Sequence, residues 1–322
     1  MKQFLLFLIC VLGLQAHAQQ FNDYFEDATL RIDYTFAGNV HEQHVTLDKL
    51  NRLPRWYGKR QRLTQVPVEG YGQVIVRHHA SGKEIYRQSF STLFQEWLSY
   101  DEARHTSRSF ENVFLVPMPK DTADITLELY DNRRTIMTTF THQVSPKDIL
   151  IRRIGEQHRT PFVQLLAPKD TSRCIHIAFI AEGYQPSEMS TFIADATLSM
   201  DAIFAHEPFK SLKDRFSIVA VQAPSVDSGT SIPSKGIWKR TALSSHFDTF
   251  YSERYLTTLN LKDLHDQLAG IPYEHIIVLV NTPHYGGGGI LNSYNLSMAH
   301  HRLTRPVVVH EFGHSFAGLA DE

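Results

Sequence analysis

Cysteine is scarce in this chain: there are two in 322 residues, Cys10 and Cys174. Cys10 lies in MKQFLLFLICVLGLQAHAQQ, which has one early charge, Lys2, and an apolar run from Phe4 to Leu14. Ala16-His17-Ala18 then supplies a small-x-small cleavage site. The pattern predicts a secretory signal peptide over residues 1–18, too short and wrongly flanked for a spanning helix. A lipidated Cys10 fits poorly, since Phe7-Leu8-Ile9 lacks the small residue expected before it. Cleavage after Ala18 leaves Cys174 alone, which excludes an internal disulfide and leaves core packing or bound metal to stabilise an exported chain. Net charge is also nearly absent, at -2 from 32 basic and 34 acidic residues. No basic stripe points to nucleic acid, and no second long apolar run points to a membrane span. A Gly-x-Ser-x-Gly elbow, a convincing serine or cysteine triad and internal repeats are all missing.

What is present divides into two regions. From about Ala28 to Thr141 the hydrophobic pattern repeatedly has period two. TLRIDYTF sets Leu30, Ile32, Tyr34 and Phe36 on one face, and GQVIVRHH and KEIYRQSF flank a hairpin turn at Ala80-Ser81-Gly82. DITLELY turns at Asp131-Asn132 into TIMTTF, while TLFQEWLSYDEARH reads as a helix or irregular insertion. Short alternating strands with turn signals between them predict an antiparallel β-sandwich over residues 19–150. A connector with Pro146, Pro161 and Pro168 follows, and the boundary is placed near Ile151.

Over residues 151–322 strands and helices alternate, which predicts an α/β layer and an α+β chain overall. CIHIAFI and FSIVAVQA read as strands and EHIIVLVN as a buried one. Between the first two, Met189, Phe192, Ile193, Ala196, Met200, Ile203 and Phe204 recur at helical steps, with Ser187 as the expected cap. TLNLKDLHDQLAG reads as a helix ended by Gly270. Cys174, at the start of a strand, is expected to be buried and structural rather than nucleophilic.

The chemistry concentrates at the end, in VVVHEFGHSFAGLADE from Val307 to Glu322. His310-Glu311-Phe312-Gly313-His314 is H-E-x-x-H, which on a helix puts two imidazoles on one face with a carboxylate beside them. Zn2+ suits such donors and acidifies the water it holds, so Glu311 is the candidate base. Pro306 fits a first helical turn, although PVVV alone suits a strand equally well. Gly313 costs about 1 kcal/mol within a helix and suggests a closely packed neighbour. A straight helix would carry Asp321 about 10 Å along the axis from His314. Gly318 can end the helix in a left-handed turn, bringing Asp321 back as third ligand, with Glu322 as its rival. Metzincins use a similar device, with a histidine three residues past the glycine.

Other histidines are decoys or undecided. His41-Glu42-Gln43-His44 lies in a strand-like region, where residues three apart face opposite sides, and is read as solvated surface. His300-His301 are placed on a connecting loop and not counted as ligands. His284-Tyr285-Gly286-Gly287-Gly288-Gly289-Ile290 is either an exposed strand or loop beside the cleft, able to pair with an extended peptide, or a flexible turn. No Gly-Lys-Ser/Thr follows it to support phosphate binding.

Taken with HEFGHSFAGLADE, the stretches IAFIAEGY and IIVLVNTPHYGGGG and the β-rich region in front, the chain resembles the IgA peptidase family of secreted bacterial zinc metallopeptidases. The resemblance implies a zincin-like, metzincin-related catalytic domain after the sandwich. It implies zinc at His310 and His314, Glu311 as base, Asp321 as third ligand, and a protein or peptide substrate. Secretion or a periplasmic or cell-surface location is expected with it. Members of that family continue well past this motif, so the sequence is expected to be a piece of a longer protein. The rival reading is an extracellular glycan- or protein-binding protein whose zincin domain is an inactive scaffold.

Overall fold

The computed structural model describes residues 20–171 and 173–321. The leader peptide with Cys10, and the rival ligand Glu322, lie outside the described residues. The first half contains α1 (Phe21–Tyr24), β1 (Phe25–Gly38), β2 (Gln43–Leu53), β3 (Gly72–His78), β4 (Glu84–Phe90), α2 (Leu93–Trp97), β5 (Arg108–Pro119), β6 (Ala123–Tyr130) and β7 (Ile136–Val144). They form two sheets, β5-β1-β2 and β4-β3-β6-β7, antiparallel throughout. A short β8 (Arg152–Arg153) extends the first sheet, parallel to β2. Leu30, Ile32, Tyr34 and Phe36 are fully buried in one core with Val74, Val76, Ile125 and Leu127 of the facing sheet. The period-two stripe therefore becomes the inside of a sandwich. The expected turns are present: Gly82 takes φ 66° between β3 and β4, and Asp131 caps the β6–β7 turn through the amides of Arg133 and Thr135, both at 2.8 Å.

The second half adds β9 (Phe162–Leu166), β10 (Ile175–Glu182), α3 (Met189–Phe204), β11 (Phe216–Val221), α4 (Leu261–Gln267), β12 (His275–Val280), β13 (Gly287–Ile290), β14 (Tyr294–Met298) and α5 (Thr304–Ala317). One sheet of order β13-β14-β12-β10-β11-β9 has four parallel strands in the middle and an antiparallel strand at each edge. Ile177, Phe179, Ile277 and Leu279 pack into a core with residues of α3 and α5. Ala178, Ile180, Ile276 and Val278 point the other way and join the core of the sandwich. Burial on both faces is why these strands read as unbroken apolar runs. Among the described residues no helix is long and apolar enough to cross a membrane.

Three local expectations are corrected. Ser187 does not cap the helix; the turn before α3 is closed by a capping box in which the Gln185 amide donates to Glu188 Oε2 at 2.8 Å. Ser187 already lies inside that turn, past the cap position that Gln185 occupies. Cys174 is half-buried rather than buried, because it precedes β10 at the sheet's rim, its thiol 3.4 Å from His176 Nε2. The helix in TLNLKDLHDQLAG starts only at Leu261, though it does end toward Gly270 at φ 79°.

Candidate metal centre

The last helix forms despite its three valines because the apolar and small positions fall on a helical stripe. Thr304, Val307, Val308, Glu311, Phe312 and Ser315 of α5 are the buried positions, at steps of three and four. Thr304 secures the entry by donating to Ala299 O at 3.0 Å and His301 O at 2.6 Å. Ser315 secures the far end, its Oγ accepting from Asn295 Nδ2 of β14 at 2.7 Å. His310 is left on the exposed side and His314 on the rim, their rings 4.5 Å apart.

Past Ala317 the chain reverses. Gly318 adopts φ 65°, its amide bonds His314 O at 3.0 Å, and the Leu319 amide reaches Gly313 O at 3.3 Å. The neighbour that Gly313 accommodates is Leu319, whose Cδ1 would stand 3.3 Å from a Cβ there. This reversal brings Asp321 Oδ1 to 3.2 Å from Nε2 of both His310 and His314, and the two Nε2 atoms are 2.9 Å apart. Three Lewis bases this close repel one another unless a proton or cation lies among them. Tetrahedral zinc with donors at 2.0–2.1 Å separates them by about 3.3 Å, so the cluster is within a few tenths of an ångström of that spacing. His314 Nδ1 lies 2.5 Å from Leu319 O, which can only accept, so Nδ1 carries the proton and Nε2 offers its lone pair to the cluster.

Glu311 points from α5 onto the glycine strand. A Cβ on Gly287 would meet Glu311 Oε1 at 2.4 Å, and one on Gly289 would meet Glu311 O at 2.6 Å and His314 Cβ at 2.9 Å. From Gly287 to Ile290 the run YGGGGI is a strand, not a flexible turn. Its glycines let the helix lie directly on the sheet edge. Burial, reinforced by Asp321, pushes the Glu311 carboxyl up to about 8. A divalent cation at the neighbouring donors would act in the opposite sense and favour the carboxylate.

The outer edge of that strand is partly covered. Gly287 donates to Arg254 O at 3.2 Å and accepts from Leu256 at 3.1 Å. Because strand groups alternate in direction, Gly289 also faces outward, and among the described residues it has no partner there. The open edge expected from the sequence is thus confined to the Gly289 end, since the segment around Tyr255 pairs first. His284 and Tyr285 do not converge on the donors: His284 stacks edge-on to Phe247 at 4.6 Å and Tyr285 to His301 at 5.4 Å. His300 is engaged by Asp195 at 2.8 Å. His41, Glu42 and His44 are exposed. Sequence reasoning missed the Leu319 carbonyl, Tyr255, and Glu96 of α2, whose Oε2 accepts from the Tyr255 hydroxyl at 2.5 Å.

Fold and site together define a class: a sandwich followed by an α/β layer whose last helix carries H-E-x-x-H, with a carboxylate returned to it by a left-handed turn. Comparison with protein families specifies the class further. Residues 20–141 match the Peptidase M64 N-terminus and residues 163–322 match IgA Peptidase M64, so the chain belongs to the IgA peptidase M64 family of metallopeptidases. No curated protein matches the chain.

Proposed function

We propose that this chain is an exported zinc-dependent endopeptidase, with His310, His314 and Asp321 as metal ligands and Glu311 as the base. The observation that carries the proposal is the convergence of the three donor atoms, all within 4.8 Å of one another, beside a buried carboxylate. Bound zinc would polarise the scissile carbonyl and acidify the attacking water. Glu311 accepts the proton of that water and delivers it to the leaving amine. Burial of Glu311 against Gly287 and Gly289 keeps bulk water from competing for that proton. His314 holds one tautomer through Leu319, and an extended peptide adds its backbone at Gly289. The leader over residues 1–18 supports export, to the cell surface, the periplasm or beyond. The binding-protein alternative gains no support from a peptidase family match.

The test is hydrolysis of a denatured protein mixture by the wild type and by Glu311→Ala, both loaded with zinc. A general base contributes about 10²–10⁴-fold, so the variant should retain at most about one per cent of the activity. Equal rates would remove Glu311 from the mechanism.

A further inference from the structure

We infer that Glu96, a residue of the N-terminal sandwich, is a specificity residue that selects a cationic group of the substrate, an ammonium or guanidinium, beside the metal donors. This rests on the peptidase reading above but concerns what the cleft prefers rather than how it cleaves.

The argument starts from the two faces of β13. On one face Gly287 and Gly289 lie against Glu311 and His314. On the other, a Cβ on Gly288 would meet the Tyr255 ring at 2.7 Å. The Tyr255 hydroxyl donates to Glu96 Oε2. The strand edge still open, at Gly289, runs between these two walls. A peptide laid along it therefore passes between the donors of α5 and the Glu96 carboxylate.

The charge around Glu96 is unusual. Its second oxygen, Oε1, has no hydrogen-bond or ion-pair partner among the described residues and is left open toward solvent. Among the described residues no lysine or arginine pairs with it, and the charges that bear on it most are those of Asp321 and His314. Burial of a carboxylate is favourable only when a cation pairs with it, so this half-buried, unpaired one at a binding edge is placed to take its partner from the ligand. A cation from the substrate would meet Oε1 while Tyr255 holds Oε2. The wall is also braced from the sandwich side, because Tyr100 stacks on Phe250 at 4.8 Å and Phe250 lies 6.0 Å from Tyr255.

The test reads binding, so that it does not depend on turnover. Zinc-loaded Glu311→Ala and Glu311→Ala/Glu96→Gln proteins are titrated with fluorescent peptides matched in length. One arm compares arginine and lysine with citrulline and norleucine in acetylated peptides; the other compares free with acetylated termini on neutral peptides. Glutamine can still accept from Tyr255, so only the charge is removed. We expect the first protein to bind one cationic arm more tightly than its neutral match. The second should lose on the order of tenfold of that ratio, about one partly screened charge pair. The arm that responds identifies side chain or terminus as the source. A ratio unchanged by Glu96→Gln, or no cationic preference at the outset, overturns the inference. Failure of the peptidase reading would look different: no hydrolysis by the wild type, with the binding preference intact.

Discussion

At φ 65° Gly318 turns the chain so that Asp321 reaches both imidazoles, and an alanine there meets two obstacles. The left-handed conformation costs a non-glycine residue roughly 1 kcal/mol, and its Cβ would lie 2.7 Å from Val68 Cγ1. Gly318→Ala should therefore keep its fold but bind zinc about tenfold more weakly in competition with a chromophoric chelator. His314→Ala should lose stoichiometric binding, because one of the three donors that converge among the described residues is gone. Unchanged affinity in Gly318→Ala would show that Asp321 does not act as a ligand. The cluster was legible in sequence because its three side chains fall within twelve residues, where helical spacing and one glycine determine the geometry. The Leu319 carbonyl that orients His314 was not legible, since backbone oxygens leave no mark in composition. Neither was Glu96, whose partner Tyr255 is 159 positions away.

The pairing of α5 with β13 positions Glu311, the proposed base. Gly287→Ala would put a methyl group 2.4 Å from Glu311 Oε1, and the carboxylate must move. A displacement near 1 Å costs on the order of 10²-fold in rate, while His310 and His314 are untouched. Metal content should stay at the wild-type level while peptide hydrolysis falls by about that factor, as an assay of both on one sample would reveal. Equal activity would mean that the base tolerates displacement from this strand. The glycine run stood out in the sequence, and an exposed strand or loop was one of its two readings. What the run is for became visible only with the helix in place, because no local pattern says which element will lie on a strand. The half-covered edge has the same origin: Arg254 and Leu256 come from a loop with no periodicity to read.

Across the whole molecule, β1 joins the two halves. Its residues Leu30, Ile32, Tyr34 and Phe36 fill the sandwich, as their alternation predicts, yet Arg31 and Asp33 on the opposite face are also buried, each at 1 % exposure. The sequence could not show this, because that face is covered only when α4 docks on it. Arg31 Nε pairs with Asp33 at 2.7 Å, and its Nη1 reaches Asp266 of α4 at 2.5 Å. Arg31→Ala leaves Asp33 buried without its cation and should destabilise the protein by roughly 3–5 kcal/mol. Asp266 has a side chain 61 % exposed, so Asp266→Ala should cost about 1 kcal/mol or less. Denaturant unfolding of the two variants checks the contrast, and equal losses would contradict it. The central claim, that His310, His314 and Asp321 hold zinc, is tested most directly by metal analysis of the purified chain after zinc loading and desalting at neutral pH. The account predicts about one equivalent in the wild type and almost none in His310→Ala/His314→Ala. Less than about half an equivalent in the wild type, or equal zinc in both proteins, would contradict it.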